Sequence, residues 1–542
     1  MNKKILIFVF CLIANLAYSN TYYIHPKDGD DKNTGTDKCK PWKSFANISK
    51  IKLNAGDVIS IAGGFEINGS LILRNQKGTE KNPIIINSYK VKKNKTASIN
   101  AKHFLNGIFL ENCSFINIEN LKISANGGNK RGFAKKASMR CGILVKVSKP
   151  ITSENITINN VEVSNVFFEN EGVKRSAAEV KSANGTQNYG FGIRFFNKVK
   201  NAFIKNITVS SSKVSNVSHT GIKFTGRKKG SINNISVFGN SVFETGGPGI
   251  QISSVIGGHV YENNVNKSGS FDDSRKWGRG SGLWTWSCND ILIEKNKFEN
   301  ANGPGDSAGL HIDYNCKSIV VQYNLSRNNA GGFCEILGNN YNCSYRYNVS
   351  INDGYRTKGK NGAFQEGKLF WLSGYVGVHK KRNGPYNSYF YNNTMYVSDS
   401  IVTKIAVGNS ARGLLIANNI FHITGKSKSV KGDQYRPEKA SKNIAKNIFF
   451  KNNLFLTDIS WPKNIGIQDS NPLFGNANFK NAGGILIKDY IPTNKELVKN
   501  KGIVVSKMPK DKLGLKTGLN VKVDILGNKI KGNPDIGAIE IR

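Results

Sequence analysis

The fold is decided by the stretch Gly221-Ile-Lys-Phe-Thr, which returns as Gly249-Ile-Gln-Ile-Ser, Gly282-Leu-Trp-Thr-Trp and Gly309-Leu-His-Ile-Asp. Each copy places a glycine before residues that alternate between apolar and variable, as they do in a β-strand. The copies recur every 27 to 33 residues, with longer intervals where loops intervene. A repeat of this length indicates a stack of small structural units.

Each copy is followed by a second β-rich segment that ends at an asparagine. These asparagines are Asn240, Asn263, Asn296, Asn324, Asn348, Asn393, Asn419 and Asn453. Three short strands and three turns per repeat describe one coil of a parallel β-helix, whose coils pair at about 4.8 Å. A single coil cannot bury its own apolar face, so the coils must stack around one core. We therefore predict an all-β, single-stranded, right-handed parallel β-helix with inserted loops, in which the asparagines form a hydrogen-bonded ladder.

Both ends of the chain carry motifs of a known group. Near the start are Tyr22-Tyr-Ile-His-Pro, Gly35-Thr, Pro41-Trp and Ala55-Gly-Asp-Val-Ile-Ser-Ile, and near the end is Gly532-Asn-Pro-Asp-Ile-Gly-Ala-Ile-Glu. They resemble the N-terminal cap and the closing segment of bacterial right-handed β-helix carbohydrate-active proteins, the pectate-lyase-like superfamily. This resemblance covers nearly all of residues 20–542 and implies a glycoside hydrolase or a polysaccharide lyase. The polygalacturonase set N-T-D, D-D, G-H-G and R-I-K is not reproduced, which argues against pectin hydrolysis by that machinery.

The first 19 residues predict an export signal. Lys3 and Lys4 precede an apolar run from Ile5 to Leu16, and Ala17-Tyr-Ser forms a small-residue end. This is the pattern of a secretory signal peptide. The run is shorter than the roughly 20 apolar residues of a membrane-spanning helix. We expect residues 1–19 to be removed, and residues 20–542 to form one secreted or periplasmic β-helix domain with no membrane span.

The chain is strongly basic. Lysine and arginine number 77 against 37 aspartate and glutamate residues, a formal net charge of +40. A positive field of this size attracts polyanions. No zinc-finger, helix-turn-helix or RNA-binding signature accompanies the charge, so we expect no nucleic-acid partner and predict an anionic polysaccharide instead. A compositional bias toward lysine and asparagine is the alternative source of the charge, although it does not explain the scarcity of acidic residues.

Seven cysteines remain once Cys11 is removed with the signal segment: Cys39, Cys113, Cys141, Cys288, Cys316, Cys334 and Cys343. An odd number leaves at least one thiol unpaired within the chain. Cys288 and Cys316 share the pattern C-x-x-I-x-x-x-x-N and should stack on successive coils, as a ladder or as a disulfide. No C-x-x-C pair indicates a metal site, and a calcium ion is the one cofactor left open. We expect a monomer.

Polar, glycine-containing stretches interrupt the repeat at Asn126–Ser138 and Gly172–Asn188, and Phe271-Asp-Asp-Ser-Arg-Lys-Trp-Gly-Arg precedes the tryptophan-rich copy. We interpret them as loops that project from the coils. Loops of this kind carry binding residues more often than core strands do.

Strand alternation sends the variable positions of every copy outward, and stacking then builds two columns. The first column is Arg194, Lys223, Gln251, Trp284 and His311, and the second is Phe196, Thr225, Ser253, Trp286 and Asp313. Aligning the next coil from Gly331 adds Phe333 to the first column and Glu335 to the second, and a looser alignment from Gly362 adds Glu366. We predict an exposed substrate-binding strip formed by Arg194, Lys223, Arg227, Gln251, Trp284, Trp286 and Glu366. Aromatic rings suit sugars, and cations suit sulfate or carboxylate groups. The alternatives are inward tryptophans and ordinary solvated cations.

The predicted catalytic pair is Asp313 and Glu335, assisted by Asp306 and His311. Carboxylates on neighbouring coils would start from backbones about 4.8 Å apart, and like charges so close raise one pKa. One acid and one base or nucleophile are what a glycosidase needs. The segment Gly303-Pro-Gly-Asp-Ser-Ala-Gly-Leu-His-Ile-Asp resembles the acidic G-D-x-x-G-x-x-x-D segment of many β-helix hydrolase-like proteins, with His311 where several of them carry another acid.

These assignments have simpler alternatives. Asp306 or Asp313 could be a turn former, His311 a surface histidine, and Glu335 would point inward if the register changed by one residue.

Three functions follow from these residues. The first is a glycoside hydrolase that cleaves within a sulfated polysaccharide such as a fucan or a carrageenan. The second is a polysaccharide lyase of a uronate polymer such as alginate or chondroitin, in which Lys223, Arg194 or His311 would abstract the C5 proton. The third is a non-catalytic polysaccharide-binding β-helix.

Overall fold

The structure, a computed structural model, describes residues 19–92, 95–127, 139–167, 190–269, 278–377, 379–432 and 445–542. Residues 1–18 of the predicted export signal lie outside the described residues. So do nearly all of the predicted loop 126–138, all of 172–188 and residues 271–277 of the third loop. The inferences drawn from these segments stay predictions.

One face of the molecule is a sheet of twelve strands that contains all four decisive copies. In chain order its strands are Leu71–Arg74, Asn106–Glu111, Arg140–Val147, Gly190–Asn197, Ile222–Thr225, Ile250–Ser253, Leu283–Trp286, Leu310–Ile312, Gly332–Ile336, Lys368–Leu372, Thr403–Val407 and Ser427–Ser429.

The other two faces belong to a continuous sheet of 26 strands. Its strands are Thr21–Ile24, Val58–Ala62, Glu66–Asn68, Ile84–Tyr89, Ala97–Asn100, Ile116–Asn126, Thr152–Phe167, Phe203–Ser210, Lys213–Val217, Ile232–Phe238, Ser241–Thr245, Val255–Tyr261, Asn264–Ser268, Asn289–Glu294, Lys297–Glu299, Lys317–Gln322, Leu325–Arg327, Ser344–Arg346, Val349–Ile351, Tyr386–Tyr391, Thr394–Val397, Arg412–Ala417, Ile420–Ile423, Lys446–Lys451, Leu454–Phe455 and Leu473–Phe474. The two faces join because Ile116–Asn126 and Thr152–Phe167 pass through a corner, where Asn120 and Asn160 adopt positive φ angles of 55° and 50°.

Successive coils pair in parallel and in register, as in Ile222↔Ile250 and Ile250↔Leu283. The apolar positions of the repeat point inward, and Ile222, Phe224 and Ile252 are fully buried in a core that runs the length of the stack. Helix is confined to Ile48–Lys50, Ile487–Tyr490 and Lys495–Val498 in the described chain. The predicted right-handed parallel β-helix is confirmed.

The predicted asparagine ladder is present in full. Each side-chain amide donates to the Oδ1 of the asparagine one coil further on, at 2.8 to 3.0 Å, from Asn240 to Asn453. The last rung ends on a carboxylate, since Asn453 donates to Asp469 Oδ2 at 2.7 Å. Successive asparagines of the ladder are 23 to 45 residues apart in the sequence. They therefore occupy the same corner of every coil although the loops between them differ in length.

The repeated glycine stands at a tight corner. A Cβ atom on Gly221 would lie 2.5 Å from Val242 Cγ1 and 2.7 Å from the carbonyl oxygen of Gly249. Gly249 meets Val265 Cγ1 and Gly282 in the same way. The corner is therefore too close for any larger residue.

The C-terminal part of the chain, 475–542, contains little regular structure and packs along the outside of the coils. Ile536, Ala538 and Ile539 form a buried cluster with residues of the stack such as Ile420 and Leu454. A second cluster joins Val505, Met508 and Leu515 to tyrosines of the stack. The segment that resembled a closing motif therefore covers one flank of the β-helix.

All seven cysteines outside the signal segment are free thiols, and only Cys39 is exposed. Cys288 and Cys316 stack on successive coils, and the Cys288 N–H donates to Cys316 Sγ at 3.5 Å. Of the two predicted alternatives, the structure has the ladder and not the disulfide. No helix in the described ranges is long and apolar enough to span a membrane.

Removal of one rung should destabilise the fold. Asn263 donates to the carbonyl oxygens of Val237 and Tyr261 and to Asn296, and it accepts from Asn240. Asn263→Ala leaves these buried groups without hydrogen-bond partners, so we expect a loss of about 2–4 kcal/mol in unfolding free energy. Asn264→Ala, at the exposed neighbouring position, is the control. Thermal unfolding should show a clearly lower midpoint for Asn263→Ala alone, and equal midpoints would contradict a stabilising role for the ladder.

Candidate active site

The outward columns of the twelve-stranded sheet have the predicted register through five coils. Arg194 pairs with Lys223, Lys223 with Gln251, Gln251 with Trp284 and Trp284 with His311. Ser253 pairs with Trp286 in the second column. The intervening Leu283 is fully buried in the core, so both tryptophans point outward as predicted.

The start of the first column is not the exposed strip that the sequence suggested. Arg194 is 0% exposed, Lys223 1% and Gln251 1%. The Arg194 guanidinium lies 4.1 Å from the ring centre of Phe191 and 4.9 Å from that of Phe196, because the strand carries aromatic residues on its outer side. Burial lowers the pKa of Arg194 to about 10. The prediction that these three residues form an exposed surface is wrong.

Arg227 is exposed at the turn that follows strand Ile222–Thr225, where it donates to the carbonyl oxygen of Lys198 at 3.2 Å. Nothing in its contacts joins it to the carboxylates described next. Its role as a substrate-binding residue stays a prediction.

Glu335 occupies a different column from the one predicted. Ala308 bridges to Gly332 and Ile312 pairs with Ile336, which places Glu335 beside His311 and not beside Asp313. The predicted alignment set Gly331 opposite Gly309 and was two residues out, because the observed pairing sets Gly332 opposite Ala308. Phe333, expected in the outer column, is buried in the core. Trp371 of the next coil continues the column from Glu335.

Asp313 stands at the end of strand Leu310–Ile312, half-buried, with a defined partner for each oxygen. Its Oδ1 accepts the N–H of Tyr314 at 2.6 Å, and its Oδ2 accepts the indole N–H of Trp284 at 2.8 Å. Burial, and then the charge of Asp306, raise the pKa of Asp313 to about 7, although both hydrogen bonds oppose this rise. A carboxyl group of this kind holds a proton near neutral pH.

Asp306 lies in the turn that enters the same coil. Its N–H donates to Gln365 Oε1 at 2.5 Å, and its Oδ2 is 3.6 Å from Arg279 Nη1. Its negative charge raises the pKa of both Asp313 and Glu335. Asp306 therefore lies close enough to Asp313 and Glu335 for its charge to act on both.

Glu335 and His311 are the buried members of the group. Glu335 is 5% exposed, and burial followed by the charge of Asp306 raises its pKa well above the usual range. His311 is 2% exposed, its Nδ1 lies 2.8 Å from Ser281 Oγ, and its ring packs on Trp284. Burial lowers the pKa of His311 to about 4, so its imidazole is neutral.

Four cations that the sequence analysis did not select enclose these acids: Arg279, Arg356, Lys368 and Lys404. Arg356 donates to the carbonyl oxygens of Gly303 and Gln365 at 2.7 and 2.8 Å. Lys368 Nζ lies 3.9 Å from the centre of the Trp371 ring. Lys404 donates to the Arg356 carbonyl oxygen at 3.0 Å and lies 3.9 Å from Glu366 Oε2. Glu366 thus belongs to the cluster through Lys404. The looser alignment from Gly362 was wrong, because the strand of this coil is Lys368–Leu372 and Glu366 precedes it.

The two lysines are buried, and burial lowers the pKa of each to about 8. For Lys368 the charge of Glu335 opposes this shift, and for Lys404 the charge of Glu366 does so. Acids and cations here are close enough to compensate one another, which is the condition for burying charge at all. Among the described residues, no group of three or more His, Cys, Asp and Glu side chains could hold a metal ion.

Comparisons with known proteins point to one kind of relative. No protein-family model matches the sequence. The chain is 24% identical to a lacto-N-biosidase of Bifidobacterium longum subsp. longum over 96% of its own length. It spans only 36% of that relative.

Solved structures are also similar to this chain. A GH136 lacto-N-biosidase from Eubacterium ramulus covers 76% of this chain and 68% of its own, with 20% identity and a TM-score of 0.54. The pectate lyase Pel9A covers 97% of this chain and 98% of its own, with 13% identity and a TM-score of 0.42. The likeness to the Eubacterium ramulus protein confirms the parallel β-helix as the fold.

The raised pKa of Glu335 has a consequence for stability. The native state keeps the Glu335 proton at pH values where the unfolded chain has lost it, so stability falls as pH rises above the unfolded pKa. We expect Glu335→Gln to remove this loss. The unfolding free energy of the variant should rise relative to that of the wild type by about 1.4 kcal/mol per pH unit, over the range in which Glu335 is protonated in the native state and ionised in the unfolded state.

Unfolding midpoints between pH 5 and pH 8 measure this difference. Glu119→Gln, which removes a half-buried carboxylate from strand Ile116–Asn126, is the control. A difference between wild type and Glu335→Gln that does not change with pH would contradict the protonated state of Glu335.

Proposed function

We propose that this protein is a glycoside hydrolase in which Asp313 is the general acid and Asp306 the base or nucleophile. The observation that carries the proposal is the half-buried Asp313 carboxyl, whose pKa is raised to about 7 beside the charged Asp306. Two carboxyl groups whose environments differ in this way can share the roles of acid and base. The similarity to lacto-N-biosidases supports the same class of reaction.

The reaction follows from these two groups. The Asp313 proton passes to the glycosidic oxygen, the bond from this oxygen to the anomeric carbon breaks, and the leaving group departs with the proton. Asp306 either bonds to the anomeric carbon, forming a glycosyl ester that water then hydrolyses with Asp313 as the base, or it deprotonates a water molecule that bonds to this carbon. Arg279, at 3.6 Å from Asp306 Oδ2, favours the ionised form that this role requires.

Glu335 takes a different role from the one first predicted. A buried, protonated carboxyl cannot serve as a base or a nucleophile, so Glu335 is replaced by Asp306 in the acid–base pair. We propose that Glu335, with the neutral His311, lines the inner wall of the site. The half-buried Trp286 presents an aromatic surface on which a sugar ring can bind. Trp284 was predicted to lie in an exposed strip, but it is 7% exposed and packs on His311.

Two substrate classes follow. Glycans that contain lacto-N-biose are the first, because they are what the names of both relatives indicate. Sulfated or otherwise anionic polysaccharides such as fucan or carrageenan are the second, and the net charge of +40 favours them.

The lyase and binding alternatives have less support. A lyase would need an accessible base, whereas Arg194, Lys223 and His311 are all buried. The similarity to lacto-N-biosidases favours an enzyme over a purely binding protein. Products distinguish the three proposals, since a lyase product absorbs in the ultraviolet and a binding protein releases none.

Substitution of either acid should stop the reaction. We expect Asp313→Asn and Asp306→Asn each to lower kcat/KM by about 100- to 10,000-fold, since each removes proton transfer or the attacking charge. Asp290→Asn, which removes a half-buried aspartate paired with Lys516 at 3.0 Å, is the control. Release of reducing ends, together with absorbance, from both substrate classes is the measurement. Full activity of Asp313→Asn with an intact fold would overturn the assignment.

The hydrogen bond from Trp284 should set the alkaline limb of the pH profile. Activity requires the Asp313 proton, so it should fall as pH rises through about 7. The indole N–H stabilises the carboxylate, so Trp284→Phe should raise the pKa of Asp313 and move the limb upward by about one pH unit. Trp286→Phe, which removes the second outward tryptophan without touching this hydrogen bond, should leave the limb in place. A limb at the same pH in both variants would contradict the role of Asp313 as the acid.

A further inference from the structure

A cavity of about 550 Å³ opens beside the candidate active site, on the side of Tyr314. Its walls come from turns that follow four successive strands of the twelve-stranded sheet, those ending at Ile312, Ile336, Leu372 and Val407. The turn after Leu372 is the longest of these and supplies consecutive cations. The size is that of a site for a small ligand.

The lining of this cavity is positively charged. Lys380, Lys381, Arg382 and Arg412 all line it, and no acidic residue does. The two lysines are exposed to solvent. Arg412 is held in place, because its Nη1 donates to the carbonyl oxygens of Asn409 and Ala411 at 2.7 Å each.

The same cavity has an aromatic floor. Tyr386 lines it and stacks on Tyr341 with ring centres 4.7 Å apart, and its hydroxyl donates to Asn383 Oδ1 at 2.5 Å. A fixed ring among cations is suited to a sugar that carries a negative charge, since the ring contacts the sugar face while the cations contact its substituent.

Tyr314 links the cavity to the candidate acid. Its N–H donates to Asp313 Oδ1 at 2.6 Å, while its side chain lines the cavity and packs 6.1 Å from the ring centre of Trp286. A glycan with its scissile bond at Asp313 can therefore follow Trp286 and Tyr314 into the cavity.

We propose that this cavity is a subsite for a sugar bearing an oxyanion, a sulfate ester or a carboxylate, adjacent to the sugar that is cleaved. The proposal deepens the glycoside hydrolase function and rests on it for the position of the scissile bond. Arginine binds such groups through two parallel hydrogen bonds, and lysine adds a mobile point charge. The strength of the subsite should fall as salt screens these charges.

The test is calorimetric binding to the full chain. The probes are a carrageenan oligosaccharide, the same oligosaccharide after chemical desulfation, and an alginate oligosaccharide. At low salt we expect one or both anionic probes to bind more tightly than the desulfated probe. Lys380→Ala/Lys381→Ala should weaken anionic binding roughly tenfold, the loss expected for two partly exposed charge contacts.

The control variant is Lys50→Ala/Lys52→Ala, which removes two exposed lysines near the first coils of the stack. It lowers the net charge equally and should leave the affinity unchanged. Tighter binding of the sulfated probe identifies a sulfate ester as the ligand group, and tighter binding of alginate identifies a carboxylate.

Equal affinity for all three probes, or an equal loss in the control variant, would overturn the proposal. Binding needs no turnover, so it is independent of the hydrolase assignment. Absence of cleavage with the expected binding pattern would overturn the proposed reaction and leave the subsite in place.

Discussion

Parallel pairing between coils is the constraint on which everything else in this molecule depends. The backbone N–H and C=O groups on one side of each coil stay unpaired until the strands of the next coil bond to them. The chain must therefore return to the same position with each repeat. The asparagine ladder enforces this return at one corner, because each buried amide can satisfy its donors only against its neighbour. The glycine corner enforces it at another, since Gly221 and Gly249 leave no room for a shifted backbone.

The candidate site uses the order that this stack creates. Asp306 and Asp313 belong to one coil, Glu335 to the next, and Lys368 and Lys404 to the two after that. The core below these coils fixes their spacing, and contacts such as that of Lys404 with the Arg356 carbonyl oxygen add to it. The scaffold can therefore bear the cost of holding several acids close together, and the shifted pKa values of Asp313 and Glu335 are the result.

The sequence predicted correctly those features in which the pattern of residue types allows only one structural interpretation. A recurring asparagine at a fixed turn predicted the ladder, and strict alternation around Leu283 placed Trp284 and Trp286 on the outside. It failed where the length of a turn decides the register. Glu335 moved to the neighbouring column because the observed pairing of its coil is shifted by two residues from the alignment at Gly331.

Two further features could not be obtained from one sequence. The burial of Arg194 depends on the aromatic rings of its own strand, whereas alternation indicates only that its side chain points outward. Arg356 lies in a turn whose length obeys no repeat, and Lys368 and Lys404 lie on the two strands that follow this turn in the twelve-stranded sheet, so the position of all three depends on tertiary structure. The acids of the site could thus be selected from the sequence, and their cationic surroundings could not.

The turn after Leu372 differs from the rest of the stack in what it contributes. Its lysines take no part in the ladder, in the glycine corner or in the core, and they lie on the rim of a cavity that only neighbouring turns complete. Mutation can therefore alter them at little cost to folding. Selection on such a turn can change the preferred substrate of an enzyme from neutral to charged glycans, or the reverse, while the coils stay unchanged. Homologues with identical acidic residues can then act on different glycans.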